Sequence, residues 1–407
     1  YFVGVLLMLF DVNSYPAFAS EDTDSLQLYG HFMTDLGYDF DQSNPKWFDV
    51  VRPTQLPSYP NQYGTDGNVF FSVRQTRLGL RTFSSTPQGP LKGRFEIDLF
   101  GVGAQVGETS FHLRHAFVEW NRWGFGQTWS PIIDVDAALN TLEYWGPVGM
   151  VLYRNIQLRY TIINHQKDLL QVALERPGAS ADEGDFSSRI ELAGVKPKFT
   201  YPDFSAAYKH TFKAGYFRLA GIFRQVGWRN LSPGYYDLNG NANCWGFNLS
   251  TRIQMTKKDV IKAQLIYGQG IESCMNDGTY DIGIRIIGDS LSVRLIEGYA
   301  LPVSGYYLAL EHNWSSKLQT TLMYSSSTVQ NAPTVSAATF RQGHYALINL
   351  LYAPFDCLLV GAELQWAQRI NEREVDGFRQ VQQRRIQCSI KYSFDKMMKI
   401  PRSSSER

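Results

Sequence analysis

Residues 385–394 read R-I-Q-C-S-I-K-Y-S-F, and this alternation decides the fold. Ile386, Cys388, Ile390, Tyr392 and Phe394 fall on one face of a strand; Arg385, Gln387, Ser389, Lys391 and Ser393 fall on the other. Successive strand residues point to opposite sides. One face therefore suits lipid and the other water, which is the make-up of a strand that crosses a membrane in a closed barrel. Amphipathic strands with an aromatic end also occur in soluble sheets, so the rest of the chain must carry the same pattern.

The composition agrees. The chain has 407 residues, 14% of them aromatic, with 34 glycines. No apolar run approaches the ~20 residues that a spanning helix needs, which excludes a helical membrane protein. Mean hydropathy is slightly negative, as expected when apolar and polar residues alternate and cancel. The net charge of +1 and the lack of a basic run argue against a nucleic-acid partner. Cys244, Cys274, Cys357 and Cys388 have no metal-site or C-x-x-C spacing. Cys244 and Cys274 lie in loop-like sequence, where either a disulfide or two free thiols fits. The seven histidines are scattered, and neither G-x-S-x-G nor H-E-x-x-H occurs. The chain reads as a non-enzyme without cofactor or metal.

Residues 1–19 are expected to be an export signal with a truncated start. Residues 2–10 form an apolar core, and Ala17-Phe18-Ala19 has the A-x-A form of a signal-peptidase site. From residue 20 onward, strands recur in pairs joined by short turns, and the pairs are joined by longer polar loops. The first strand is expected at 26–38 and the last at 378–394. Sixteen candidate strands result, though 178–202 and 268–303 could each hide another. Bacterial barrels have short periplasmic turns and long outer loops. The expected fold is thus all-β: a transmembrane, antiparallel, up-and-down barrel of about 16 strands over residues 20–394, porin-like, in the bacterial outer membrane. Trp120, Trp123, Trp129, Trp314, Tyr352, Phe355, Tyr392 and Phe394 lie near strand ends, where aromatic girdles meet the lipid interfaces. Residues 395–407 are expected to hang free as a polar periplasmic tail, with 385–394 closing the barrel against 26–38.

Several short stretches resemble one family of trimeric outer-membrane porins, the DcaP type. They are Leu28-Tyr29-Gly30, the run H-A-F-V-E-W at 115–120, G-Q-T-W-S-P at 126–131, and the closing strand through Lys391-Tyr392-Ser393-Phe394. The resemblance implies a 16-stranded barrel, a homotrimer, a third extracellular loop folded into the lumen, and dicarboxylate uptake. The chain departs from many porins in continuing 13 residues past Phe394.

A channel is selective at its narrowest point. The third long loop, residues 130–152, carries Asp134, Asp136 and Glu143, and Arg154 and Arg159 follow it on the next strand. Arg77 and Arg81 share one face of the second strand, opposite Leu78 and Leu80. Arg94, Glu96 and Asp98 alternate in the same way with Phe95, Ile97 and Leu99. Arg218, Arg224, Arg369 and Arg385 are further inward candidates. Guanidinium pairs bidentately with carboxylates, so an arginine wall facing an acidic loop is expected to favour small anions. The expected constriction is therefore Arg77, Arg81, Asp134, Asp136, Glu143, Arg154 and Arg159. The alternative for each arginine is an internal brace, and for the whole molecule a plugged structural or adhesive barrel.

Overall fold

The protein is described by a computed structural model covering residues 23–401, except 183, 233–235 and 290–291. The expected export signal and the last six residues lie outside the described residues. The strands are β1 (Thr23–Asp39), β2 (Asn68–Ser72), β3 (Arg77–Thr86), β4 (Gly89–Phe100), β5 (Thr109–Trp120), β6 (Trp123–Trp129), β7 (Arg154–Asn164), β8 (Asp168–Glu175), β9 (Val195–Pro197) and β10 (Asp203–Phe212). They continue as β11 (Gly215–Asn230), β12 (Gly240–Gln254), β13 (Asp259–Gln269), β14 (Ile282–Ile286), β15 (Ile296–Ala300), β16 (Pro302–Asn313), β17 (Leu318–Val329), β18 (Phe340–Phe355), β19 (Leu358–Val375) and β20 (Phe378–Pro401). β2 and β3 are two halves of one crossing, since both pair with β1. β9 only extends the edge of β11, and β14–β15 form a separate hairpin. What remains is a closed antiparallel barrel of 16 strands, with no α-helix among the described residues. The two stretches where a further strand could hide hold only these small extras.

Exposure confirms which face is which. On β20, Ile390 is 58% and Tyr392 50% exposed, whereas Gln387 is 0% and Lys391 2%. On β1, Leu28, Phe32 and Leu36 face outward while Gln27, His31 and Asp35 are buried. Trp120, Trp123, Trp314, Tyr352, Phe355 and Tyr392 are exposed around the short turns, a girdle at that end of the barrel. Trp129 does not belong to it: its ring lies inside, edge-on to His115 at 5.4 Å.

The seam between first and last strand is longer than the sequence suggests. β20 pairs with β1 from Asp39↔Arg385 to Thr23↔Pro401. The boundary expected at Phe394 is therefore wrong for residues 395–401. They continue the strand because residues 23–29 supply a partner edge, and Gln27 Nε2 adds bonds of 2.9 and 2.8 Å to Asp395. Cys244 and Cys274 are both buried and unbonded.

The inside of the barrel is not simply water. Loop 1 (residues 40–67) and loop 3 (130–153) fold inward, as do Ile271, Cys274 and Met275 at the start of loop 6 (270–301). Val51 and Leu56 of loop 1 and Leu139, Val148 and Met150 of loop 3 pack on Tyr307, Met323, Tyr345 and Leu347 of β16–β18. A second cluster joins Ile132, Ile133 and Val151 of loop 3 to Ile222, Ile266 and Val303 of the wall. Each buried aliphatic side chain contributes about 1.5–3 kcal/mol, so loop 3 is held as a packed element.

Candidate pore constriction

The turn from β6 into loop 3 is built by G-Q-T-W-S-P. Gly126 has φ +111°, and a Cβ there would lie 2.2 Å from the Ala116 carbonyl oxygen; only glycine lets β6 lie so close to β5. Thr128 Oγ1 and His115 Nδ1 lie 2.9 Å apart. Ser130 Oγ donates to Glu175 at 2.6 Å and accepts from the Ile132 amide at 3.2 Å. The Pro131 carbonyl accepts from Arg218. These contacts aim loop 3 into the lumen at the start. Further along, Lys262 Nζ donates to the Ala138 carbonyl at 2.5 Å, and Tyr307 Oη donates to the Ala137 carbonyl at 2.9 Å. The Leu142 amide donates to Glu363 of β19 at 2.9 Å. Loop 3 thus crosses from β6 to the far wall.

Facing it is an arginine ladder. Glu96 accepts from Tyr29 Oη at 2.8 Å, Arg94 Nη2 at 2.8 Å and Arg114 Nε at 2.7 Å, with Arg77 Nε 3.6 Å away. Asp98 accepts from Arg114 Nη1 at 2.8 Å and from Tyr144 Oη of loop 3 at 2.6 Å. The Tyr144 ring stacks on Phe100 at 4.0 Å, which fixes the tip of loop 3 to the ladder. Arg154 lies over the Trp129 ring at 4.9 Å. Three arginines, Arg77, Arg94 and Arg114, thus share two carboxylates, with Arg154 beside them. Among the described residues, the buried Nη1 of Arg154, Nη1 of Arg218 and Nζ of Lys391 have no hydrogen-bond partner. Buried polar groups of this kind are normally satisfied by water or an ion.

Beneath loop 3 lies a cavity of ≈ 130 Å³ whose lining includes five cations, Lys92, Arg94, Arg159, Lys209 and Arg218, and three carboxylates, Glu119, Asp134 and Asp136. The carboxylates are committed to neighbours. Asp134 accepts from Tyr216 at 2.9 Å and Ser250 at 2.6 Å, Asp136 pairs with Lys209, and Glu119 pairs with Arg159 at 3.0 Å.

Of the expected constriction residues, Asp134, Asp136 and Arg159 meet at this cavity. Arg77 and Arg154 stand on the ladder wall beside it, and Arg81 lies over the Tyr29 ring at 4.3 Å, bonded to Gln27. Glu143 is elsewhere. It is 3% exposed, in the contact of loop 3 with loop 1, and accepts from the Val51 amide at 3.0 Å and from the Gly146 amide. Burial pushes its carboxyl up to about 8, and nearby Glu363 adds to the rise against those two amides. It is an anchor, not a pore-lining acid. Arg224, Arg369 and Arg385 are braces: Arg224 to Asp203 at 3.1 Å, Arg385 to Asp39 at 2.7 Å, and Arg369 to the Thr54 carbonyl at 2.5 Å. Lys92, Lys209 and Arg114 escape a sequence reading centred on alternating arginines. For Arg114 the reason is local: opposite Glu96 and Ile97 of β4 the register slips and leaves Arg114 as an extra residue of β5, so Arg114 and His115 both point inward.

A closed 16-stranded barrel with a loop folded against a basic inner wall defines a bacterial outer-membrane porin. The description "DcaP outer membrane protein" belongs to the family model that matches residues 13–217, half the chain, and the chain belongs to that family. No curated protein sequence matches it. Among solved structures, the outer membrane channel DcaP of Acinetobacter baumannii is similar with a TM-score of 0.74 at 20% identity, covering 93% of this chain and 99% of that one. The anion-selective porin from Comamonas acidovorans gives 0.56 at 11% identity, covering 91% and 100%. OmpT of Vibrio cholerae, in a trimer form, gives 0.56 at 12%, covering 92% and 100%. At these identities the structures speak for the fold.

Proposed function

We propose that this protein is a passive diffusion channel that favours small anions, dicarboxylates among them, and works as a homotrimer. The observation that carries the reading is the cavity beneath loop 3, where five cations meet three carboxylates that already have partners. The ladder adds three further arginines, Arg77, Arg114 and Arg154, against the two carboxylates Glu96 and Asp98. At about 8 Å and an effective dielectric near 40, one net charge is worth about 1 kcal/mol. That is roughly a fivefold enrichment of anions and an equal depletion of cations. Guanidinium groups add bidentate geometry for carboxylates. The similar porin from Comamonas acidovorans is itself described as anion-selective, and the trimer form of OmpT supports the oligomer. Residues 1–19 act in this reading as the export signal.

Reversal potentials in a planar bilayer under a KCl gradient test the channel. The expected sign is anion preference, reduced by Arg218→Gln. Cation preference overturns it. The apolar packing of loops 1 and 3 on β16–β18 is the observation behind a second reading, a plugged barrel. Absence of any conductance in the same recording favours that one.

A further inference from the structure

Residues 179–182, 192–199 and 238–239 and the β14–β15 hairpin cover the ends of β11 and β12. Between them lies a cavity of ≈ 260 Å³. Its walls are mostly apolar: Leu192, Phe199, Val226, Ile282 and Ile296 line it together with the Trp228 indole. The indole is set by two glycines. A Cβ on Gly240 or on Gly298 would come 2.6 Å from its ring atoms, so side chains at these positions would displace it. Beside this cavity runs an open polar groove lined by Arg229, Asn239, Gly240, Asn241 and Arg294. Asn239 and Arg294 line both spaces. Among the described residues the groove lining holds two arginines, and the Asp237 carboxylate beside it acts on both of them.

The charges around the cavity are also largely assigned. Glu297 pairs with Arg285 at 2.9 Å and with Arg294 at 3.7 Å. Asp182 accepts from the Gly184 amide at 2.9 Å, and Asp237 from Asn239. Lys196 stands exposed on the cavity rim. Among the described residues, the Arg229 guanidinium donates from Nη1 to the Trp228 carbonyl at 3.0 Å.

We infer that this pair of spaces binds a small organic anion with a compact aromatic body, separately from the channel constriction. The ring enters the apolar cavity against Trp228, and the carboxylate reaches the groove between Arg229 and Arg294. An apolar cavity of about 150 Å³ holds a benzene ring, so this one has room for a ring and a short chain. Aromatic stacking and charge-assisted bonds to guanidinium supply the affinity. No residue of this site lines the cavity beneath loop 3, so it can fail while the channel reading stands.

The test is calorimetric titration of the full chain held in amphipol, which removes competing detergent. The probes are 4-phenylbutyrate, uncharged 4-phenylbutanol and succinate. Saturable binding of 4-phenylbutyrate is expected, with succinate at least tenfold weaker. The double variant Arg229→Gln/Arg294→Gln should weaken 4-phenylbutyrate by about tenfold or more and leave 4-phenylbutanol within twofold. Val226→Trp, which fills the cavity, should abolish binding of both ring compounds. Ile284→Trp provides a second filling variant, and unheated-gel mobility verifies that each barrel is folded. No saturable binding to the wild type overturns the site. So does binding that both filling variants leave unchanged, or succinate binding as tightly as 4-phenylbutyrate.

Discussion

Arg114 shows what one residue does in this barrel. Its Nε and Nη1 bridge two buried carboxylates, Glu96 at 2.7 Å and Asp98 at 2.8 Å, and its Nη1 also lies 2.8 Å from Tyr144 Oη. Removing one partner of such a network leaves charge buried and uncompensated, at a cost of about 3–5 kcal/mol. Arg114→Met is therefore expected to lower unfolding stability in urea by about 3 kcal/mol and to free the loop 3 tip from the wall. Arg114→Lys should recover only part, because an ammonium cannot reproduce the planar fork. An unchanged urea midpoint in Arg114→Met would refute this account. Strict alternation counted from His115 places Arg114 on the lipid face. An arginine there costs about 2–4 kcal/mol near mid-bilayer, and that conflict is the signal in the sequence for an irregular strand. Arg77 and Arg81 are legible because Leu78 and Leu80 flank them in register. Arg114 is illegible by the same rule because β5 breaks the period.

Loop 3 is the element whose energetics bear most on function. Sequence marks its position and its acids, but not what each acid holds, since the partners outside the loop lie from 73 to 220 residues away along the chain. Asp134 bonds to β11 and β12, and only the folded barrel brings Tyr216 and Ser250 to it. Glu143 sits against Val51 and Glu363, so its role could not be read from neighbouring residues. Its carboxyl is pushed up to about 8 by burial, and Glu272 in loop 6 likewise to about 8. Between the ordinary glutamate range and pH 8 the folded chain keeps protons that the unfolded chain has lost. Stability therefore falls as pH rises through that window and levels off above it. Each group contributes at most about 1.4 kcal/mol per pH unit. The temperature at which the barrel loses its unheated-gel mobility should accordingly drop from pH 5 to pH 8. Glu143→Gln gives up one accepted bond, so it should be less stable at pH 5 yet show a shallower decline, with Glu272 still contributing. A decline as steep as wild type would show that Glu143 ionises freely in the folded loop.

At the scale of the whole molecule, closure depends on β1 and β20. The alternation of residues 385–394 is enough to place the seam and its two faces. It misses the length of the seam, because 395–401 look polar in isolation and gain a partner only where β1 starts at Thr23. Seven of the 17 register pairs, Thr23↔Pro401 through Tyr29↔Asp395, lie beyond Phe394. Ten remain from Gly30 to Asp39, and they include the buried pairs of Asp35 with Gln387 and Ser389 and of Asp39 with Arg385. Phe394 stands at the junction. Its ring lies 5.6 Å from Phe32, and a Cβ on Gly30 would meet it at 2.9 Å, so the ring covers the glycine and ties the two strands on the lipid side. Ending the chain after Phe394 should therefore leave a closed barrel that reaches the outer membrane but unfolds at a lower temperature than the full chain. Phe394→Ala keeps the backbone pairs and loses the aromatic contact, about 3–5 kcal/mol if fully buried and less at this half-buried site. It should slow insertion, seen as a larger unfolded fraction on unheated gels of outer-membrane preparations. If the truncated chain fails to fold while Phe394→Ala inserts normally, closure depends on the extension from Asp395 to Pro401, and the ten inner pairs are not sufficient to seal the barrel.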